Sequence, residues 1–134
     1  NLGVNMKKYF LSSLILTLLF LASCNVFAGE NGRRYPGGSI ASQLLQRDAT
    51  MSVFAAVSVK IKNCSDLSIT DTKLEKMPEF NKIYNGQRYA SSPWEEVWTV
   101  NACGKDVYVP VTFIPDDNGT GTSFAVSPND IRLK

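Results

Sequence analysis

The sequence predicts a mainly β domain, a single antiparallel β-sandwich or a small barrel, with room for one short helix at its N-terminal end. Three observations predict it. After residue 51, apolar and polar residues alternate over several short stretches, which is the period of a half-buried strand. Clusters of Gly, Pro, Asn and Asp separate these stretches and indicate turns. The chain has 134 residues and no internal repeat, which suits one domain.

Residues 1–23 are interpreted as a secretory signal peptide. Met6 is the expected start, which makes residues 1–5 upstream sequence. Two lysines follow Met6, and a leucine-rich run then continues to Ala22. A basic start followed by an apolar run is typical of signal peptides. A transmembrane helix is the alternative, but the run is interrupted by polar residues and is shorter than the roughly 20 apolar residues that a span needs.

Two cleavage sites compete at the end of this signal. Leu21-Ala22-Ser23-Cys24 resembles the lipobox of bacterial lipoproteins, in which the cysteine is acylated and becomes the first residue of the mature protein. The segment that ends at Ala28 carries small residues at alternate positions, as ordinary signal peptidase requires. We favour the lipobox because it directly follows the apolar run, so we expect a lipid on Cys24.

The cleavage site decides the expected location. A lipid on Cys24 would anchor the protein in a membrane, and Asn25 is not the aspartate associated with retention in the inner membrane. The periplasmic face of the outer membrane is therefore the expected location. Cleavage after Ala28 would instead give a soluble periplasmic or secreted protein.

The charge of the mature chain argues against a nucleic-acid partner. Removal of the two lysines of the signal peptide takes the 14 basic residues to 12, which equals the 12 acidic residues. A net charge near zero lacks the basic footprint of a nucleic-acid-binding protein. We expect no nucleic-acid partner.

Cys64 and Cys103 are predicted to form a disulfide. The chain has three cysteines, and Cys24 is either lipidated or removed, so two remain in an oxidising compartment. The bridge would close a loop of about 40 residues, worth roughly 3–4 kcal/mol by chain entropy. The alternatives are a metal site or a reactive thiol. With no histidine and no CxxC motif, zinc lacks ligands, so no metal or cofactor is expected.

The mature chain is predicted to divide at residue 38. Residues 24–38 comprise the lipidated cysteine and a flexible tether, because their second half is rich in glycine and charge without an apolar period. Residues 39–134 form the β-rich domain. Ser39 is expected to cap a short helix that runs to Asp48.

Two strands and a long connection are expected next. Val53, Ala55, Val57, Val59 and Ile61 alternate with other residues and indicate a first strand, on whose end Cys64 would lie. Residues 67–73 indicate a second strand. Residues 74–93 contain prolines and an Asn-Gly pair and are expected to be a long connection.

Residues 94–114 predict a β-hairpin. Gly104 is expected at the first central position of a type II′ turn, which would place Cys103 opposite Asp106. Seven apolar residues would then share the core face: Trp98, Val100, Ala102, Val107, Val109, Val111 and Phe113.

The residue types disfavour an enzyme. Without histidine, Ser-His-Asp and Cys-His systems and the usual acid–base group are excluded. Paired carboxylates remain, but Glu95 and Glu96 are adjacent, and adjacent side chains of a strand point to opposite faces. We expect both at a solvated strand end and expect Asp71 to terminate a turn. The DDNGTGT run from Asp116 is expected to be a turn and not a calcium loop, because the twelfth residue of the run is not acidic.

Four aromatic residues are the candidate partner surface: Tyr84, Tyr89, Trp94 and Tyr108. They belong to the long connection or to the hairpin, and exposed aromatic side chains can bind a protein or a glycan. The alternative is that Trp94 and Tyr89 pack the connection onto the sheet.

Several short motifs between Cys64 and Val126 form a pattern with the hairpin at its centre: Cys-x(6)-Asp-Thr, Pro93-Trp94, Trp98-x-Val100, Ala102-Cys103-Gly104, Val111-x-Phe113 and Gly121-Thr122-x-Phe124-x-Val126. The pattern resembles uncharacterised small exported proteins and lipoproteins of Gram-negative bacteria. This resemblance covers about half of the chain and implies an exported β-domain without an assigned activity.

The sequence therefore favours a non-catalytic lipoprotein of the cell envelope, whose β-domain binds another protein or a surface polymer. The first alternative is an inhibitor of an external hydrolase such as lysozyme. A small glycan-acting enzyme that uses carboxylates is the third hypothesis.

Overall fold

The computed structural model describes residues 34–134, which lie within one compact unit. The predicted signal peptide, Cys24 and the two cleavage sites lie outside the described residues. The first regular element of the described part is the helix α1, Gln43–Lys60. Seven strands follow: β1 Leu67–Lys76, β2 Lys82–Tyr84, β3 Gln87–Tyr89, β4 Trp94–Ala102, β5 Lys105–Pro115, β6 Thr122–Val126 and β7 Arg132–Leu133.

The strands form one five-stranded antiparallel sheet and a small ribbon. The order in the sheet is β1-β4-β5-β6, and β7 pairs with β5 on the same side as β6. β2 and β3 form a separate antiparallel ribbon within the predicted long connection. The helix α1 packs against β5, β6 and the 3-10 turn Pro128–Asp130. The predicted fold class, a mainly β antiparallel domain of the sandwich type with a helix, is confirmed.

The hairpin of β4 and β5 supplies most of the core. All seven residues predicted for the core face are buried, and six of them have no exposed surface at all. The predicted register is wrong, because Ala102 pairs with Lys105 and the turn consists of Cys103 and Gly104, both with positive φ. Positive φ at both central residues is the type I′ geometry. The register differs from the prediction by two residues, and an even shift keeps every side chain on its predicted face.

Helix α1 replaces the predicted short helix and the strand after it. The buried residues of α1 recur at helical spacing: Gln46, Ala49, Val53, Ala56 and Val57. The alternation that indicated a strand is broken by Ala55 and Val59, which are exposed. Ser42, and not Ser39, caps the helix, since its Oγ accepts a hydrogen bond from the amide of Leu45 at 3.2 Å. Packing on the sheet therefore outweighs the β propensity of the valines.

The disulfide joins the end of α1 to the hairpin turn. Cys64 and Cys103 lie at disulfide-bond distance with Cα atoms 5.9 Å apart, in agreement with the predicted pairing. Cys64 does not lie on a strand end, because the chain before it is helical and turns at Asn63. The bridge therefore encloses β1, β2, β3 and β4 in one loop.

Residues 34–41, which we call the N-terminal segment, lie against the sheet and α1. The amide of Gly38 donates to the carbonyl oxygen of Thr72 at 2.6 Å, and the amide of Arg34 donates to Oε1 of Gln46 at 3.2 Å. The ring of Tyr35 lies 5.7 Å from that of Trp98. The packed domain thus includes residues 34–38, which the sequence assigned to the flexible tether.

Within the described part of the chain, no helix has the combination of length and apolar character that a bilayer span requires.

Candidate functional site

Three polar side chains are buried in the described domain, and each binds the backbone of the N-terminal segment. Thr72 accepts from the amide of Ser39 and donates to the carbonyl of Pro36. Gln46 donates to the carbonyl of Ala41 at 2.7 Å, in addition to its bond from Arg34. Polar groups are buried at low cost only when they are hydrogen-bonded, so these side chains fix the path of the segment.

Glu96 is the third of these side chains and has no exposed surface. Its Oε1 accepts hydrogen bonds from the Ile40 amide at 3.0 Å and from the Trp94 indole at 3.1 Å. Its Oε2 accepts from the Trp98 indole at 2.8 Å. The prediction of a solvated strand end is wrong for Glu96, because the core face of β4 includes it. Glu96 therefore connects the N-terminal segment to the centre of the sheet.

A cleft of about 320 Å³ lies beside this buried cluster. Four parts of the fold form its walls: the residues around the start of α1, the β2–β3 ribbon with its flanks, Trp94, and the loop before β6. Its lining residues are Ile40, Ala41, Ser42, Leu45, Phe80, Lys82, Arg88, Tyr89, Ala90, Trp94, Gly119, Thr120, Gly121 and Thr122. We call it the ribbon cleft.

The ribbon cleft combines apolar and cationic groups. Phe80 and Ile40 are each 40% exposed, so both offer apolar surface to solvent. Lys82 Nζ donates to the carbonyl oxygen of Asp116, and Arg88 is exposed. Within the described residues, neither cation is part of an ion pair, and no acidic side chain lines the cleft. An anionic group on an otherwise apolar ligand would find partners here.

Two of the four predicted aromatic residues share this cleft. Tyr89 is half-buried in its wall, and Trp94 is buried beneath it, stacked on Phe113 with ring centroids 4.9 Å apart. Trp94 therefore packs the core, as the alternative interpretation of these residues holds, and presents little surface to a partner.

The other two aromatic residues lie elsewhere. Tyr84 is 54% exposed at the tip of the ribbon and does not line the cleft. Tyr108 lies on the outer face of the sheet, in a shallow depression that it shares with Thr99 and Arg132. The four residues consequently do not form one continuous surface.

The carboxylates named from the sequence do not form a pair. Glu95 is exposed and lies 3.9 Å from Lys76, whereas Glu96 points into the core from the opposite face of β4. Asp71 is exposed on β1, where it pairs with Thr99. Among the residues that the structure describes, no group of three His, Cys, Asp or Glu side chains could hold a metal ion.

Comparisons of this chain with family models, with curated proteins and with solved structures find no match.

The sequence does not single out Lys82, Arg88 and Phe80 as cleft residues, because residues 74–93 predict a connection and not a ribbon. The predicted solvated position of Glu96 also misses its role. A signal for that role exists: in Trp94-x-Glu96-x-Trp98, side chains two residues apart share a face of a strand. Two indole N–H groups on a core face need acceptors, and the carboxylate between them is the nearest one.

Proposed function

We propose that this protein is a non-catalytic lipoprotein of the cell envelope, whose domain binds another protein or a surface polymer in the ribbon cleft. The cleft carries the proposal: it is concave, partly apolar and cationic, and its floor is held by the buried cluster around Glu96. A rigid site loses little entropy when it binds, so even a small contact area can give useful affinity.

The charges of the cleft favour a partner with an anionic group. Lys82 and Arg88 line the cleft from the β2–β3 ribbon, and the hydroxyl-bearing residues Ser42, Thr120 and Thr122 line it elsewhere. These groups suit a carboxylate or phosphate that is flanked by apolar or sugar surface. The aromatic ring of Tyr89 supplies a flat face beside them.

Site-specific photo-cross-linking in intact cells tests this proposal. The photoreactive amino acid p-benzoylphenylalanine replaces Tyr89 in one variant and Tyr108 in a matched control. Both tyrosines are half-buried on strands, but only Tyr89 lines the ribbon cleft. We expect a reproducible adduct from position 89, at least about tenfold stronger than from position 108, because the cross-linker reacts only with groups in direct contact.

Adducts of equal strength at both positions, or none at position 89, would contradict the proposal. Mass analysis of the adduct also separates the hypotheses on function. A structural protein or a polymer of the envelope supports the proposed function, whereas an external hydrolase supports the inhibitor alternative.

Arg88→Ala in the same background is expected to weaken the adduct, because an anionic partner loses one charge-assisted contact.

A further inference from the structure

Strand β6 forms an edge of the five-stranded sheet, since it pairs with β5 and with no other described strand. The amide of Asp116 donates to the carbonyl oxygen of Gly121 at 2.9 Å and continues the ladder by one pair. Opposite pairs of an antiparallel ladder alternate between hydrogen-bonded and non-hydrogen-bonded, so the backbone groups of Ser123 and Ala125 bond to β5. The backbone groups of the other three residues of β6 point toward the free edge: Thr122, Phe124 and Val126.

The opposite edge of the sheet is protected in ways that β6 lacks. β1 carries Lys73 and Lys76, two irregularities interrupt its register with β4, and the carbonyl oxygen of Thr72 accepts a bond from the N-terminal segment. Charges, bulges and covering segments are the usual means by which native proteins prevent a free edge from pairing. The sequence of β6, Thr-Ser-Phe-Ala-Val, has no charge and no proline, and its register has no bulge. Its edge is therefore suited to pair with another extended chain.

A depression of about 240 Å³ lies between the start of α1 and the start of β6. It continues the ribbon cleft, because the two share five lining residues: Ser42, Leu45, Thr120, Gly121 and Thr122. Leu44, which is 58% exposed, adds apolar surface to the depression. Successive side chains of a strand point to opposite faces. A strand added to β6 would therefore place every second side chain on the α1 side of the sheet, where the depression lies.

The start of β6 also borders the ribbon cleft. Lys82 Nζ donates to the carbonyl oxygen of Asp116, the residue that pairs with Gly121. The side chain of Asp116 continues the alternation of Tyr108 and Ile114, so it lies on the outer face of the sheet, and it does not line the cleft. A strand antiparallel to β6 has its C-terminal end at this point. Lys82 is thus placed to bind the terminal carboxylate of such a strand.

We propose that β6 binds an extended peptide segment of the partner as an additional antiparallel strand, whose C-terminal end lies in the ribbon cleft. The inference rests on the proposed function and deepens it, since it selects a protein over a surface polymer. The free edge supports this choice, because a row of alternating N–H and C=O groups is complementary to another polypeptide backbone, and a polysaccharide lacks such a row. The backbone bonds supply affinity, and the depression beside Leu44 selects side chains.

Peptide selection on the purified mature protein tests strand addition. The probe is a phage-displayed library of random 12-residue peptides with free C-termini. Thr122→Pro removes one N–H group from the free edge at the first residue of β6, a position at which proline is tolerated. Thr122→Val is the matched control, because it retains the N–H group and removes only the hydroxyl. We expect the selected peptides to bind the parent protein and Thr122→Val alike, and Thr122→Pro at least about tenfold more weakly.

Amide hydrogen exchange, followed by NMR, locates the bound peptide on the parent protein. The amides of Phe124 and Val126 are expected to exchange at least about tenfold more slowly when the peptide is saturating, because each gains a hydrogen bond. The amides of Ser123 and Ala125 already bond to β5 and serve as internal controls. Their exchange in Thr122→Pro also shows whether the sheet is intact in that variant.

The inference is overturned if no peptide is enriched, if the selected peptides bind Thr122→Pro as tightly as the parent, or if they protect neither Phe124 nor Val126. Slow exchange of these two amides in the protein alone assigns the edge to the chain itself, in a monomer or in a dimer, and also overturns it. Photo-cross-linking at Tyr89 is a separate measurement. An adduct there that consists of polysaccharide, or that forms although no peptide is selected, supports the proposed function and overturns only strand addition.

Discussion

The Glu96→Ala variant is expected to lose about 4 kcal/mol of unfolding free energy, because buried hydrogen-bond donors that lose their acceptor are costly. The substitution leaves the indole N–H groups of Trp94 and Trp98 and the amide of Ile40 without their acceptor. Each unpaired buried donor costs about 1–3 kcal/mol, and the lost side chain also leaves a cavity. Urea denaturation followed by tryptophan fluorescence measures the loss.

Glu95→Ala is the matched control, since it removes the same chemical group from the next residue of β4. The side chain of Glu95 is 53% exposed, and its ion pair with Lys76 spans 3.9 Å. Exposed ion pairs contribute about 1 kcal/mol or less, so the control is expected to remain close to the parent protein. Equal losses in the two variants would show that Glu96 does not hold the N-terminal segment on the sheet.

Gly37→Ala is expected to lower the free energy of unfolding by about 3 kcal/mol, from a strained backbone and a steric overlap together. Gly37 has a φ of +104°, a conformation that residues with a Cβ rarely adopt. A Cβ at this position would lie 2.6 Å from the amide nitrogen of Thr72 and still closer to its carbonyl oxygen. The N-terminal segment would therefore have to move away from β1 and lose its bonds to Thr72.

Gly119→Ala separates the two contributions. Gly119 has a similar φ of +111°, but nothing lies within 4 Å of the position of its Cβ. Only the backbone strain applies there, which costs roughly 1–2 kcal/mol. Thermal or urea unfolding of both variants gives the difference. If Gly37→Ala is no less stable than Gly119→Ala, the close approach of the segment to β1 is incorrect.

The sequence predicts the hairpin of β4 and β5 well because its pattern is local. Alternation over two long strands defines the core face, and Cys103-Gly104 marks the turn within one residue of its position. The predicted pairing of Cys64 with Cys103 follows from the number of cysteines and the expected oxidising compartment alone. It therefore does not depend on the strand that the sequence incorrectly predicts before Cys64.

The helix was harder to predict because its valines suit either structure. Val53 and Val57 are buried in a strand pattern and in a helix pattern alike. The buried Gln46, Ala49 and Ala56 and the exposed Ala55 and Val59 distinguish the two. The contact that decides between them is with β5 and β6, which begin 45 and 62 residues after the end of α1. Tertiary packing of this kind overrides local propensity and is not visible in a short window.

The ribbon cleft could not be predicted because its walls come from separate parts of the chain. Ile40, Tyr89 and Thr122 meet there only after the sheet has formed. Of the predicted aromatic surface, the cleft includes Tyr89 and the buried Trp94. Nothing local in the sequence marks Lys82 and Arg88, because only the turn at Asn85-Gly86 folds their two strands onto each other.

We propose that this domain folds after export and is anchored through Cys24. Mass spectrometry of peptides from native protein, prepared without a reducing agent, tests this proposal most directly. We expect an N-terminal peptide that begins with acylated Cys24 and a cross-linked peptide that joins Cys64 to Cys103. An unacylated chain that still carries the residues before Cys24, with free thiols at Cys64 and Cys103, would contradict both export and anchoring.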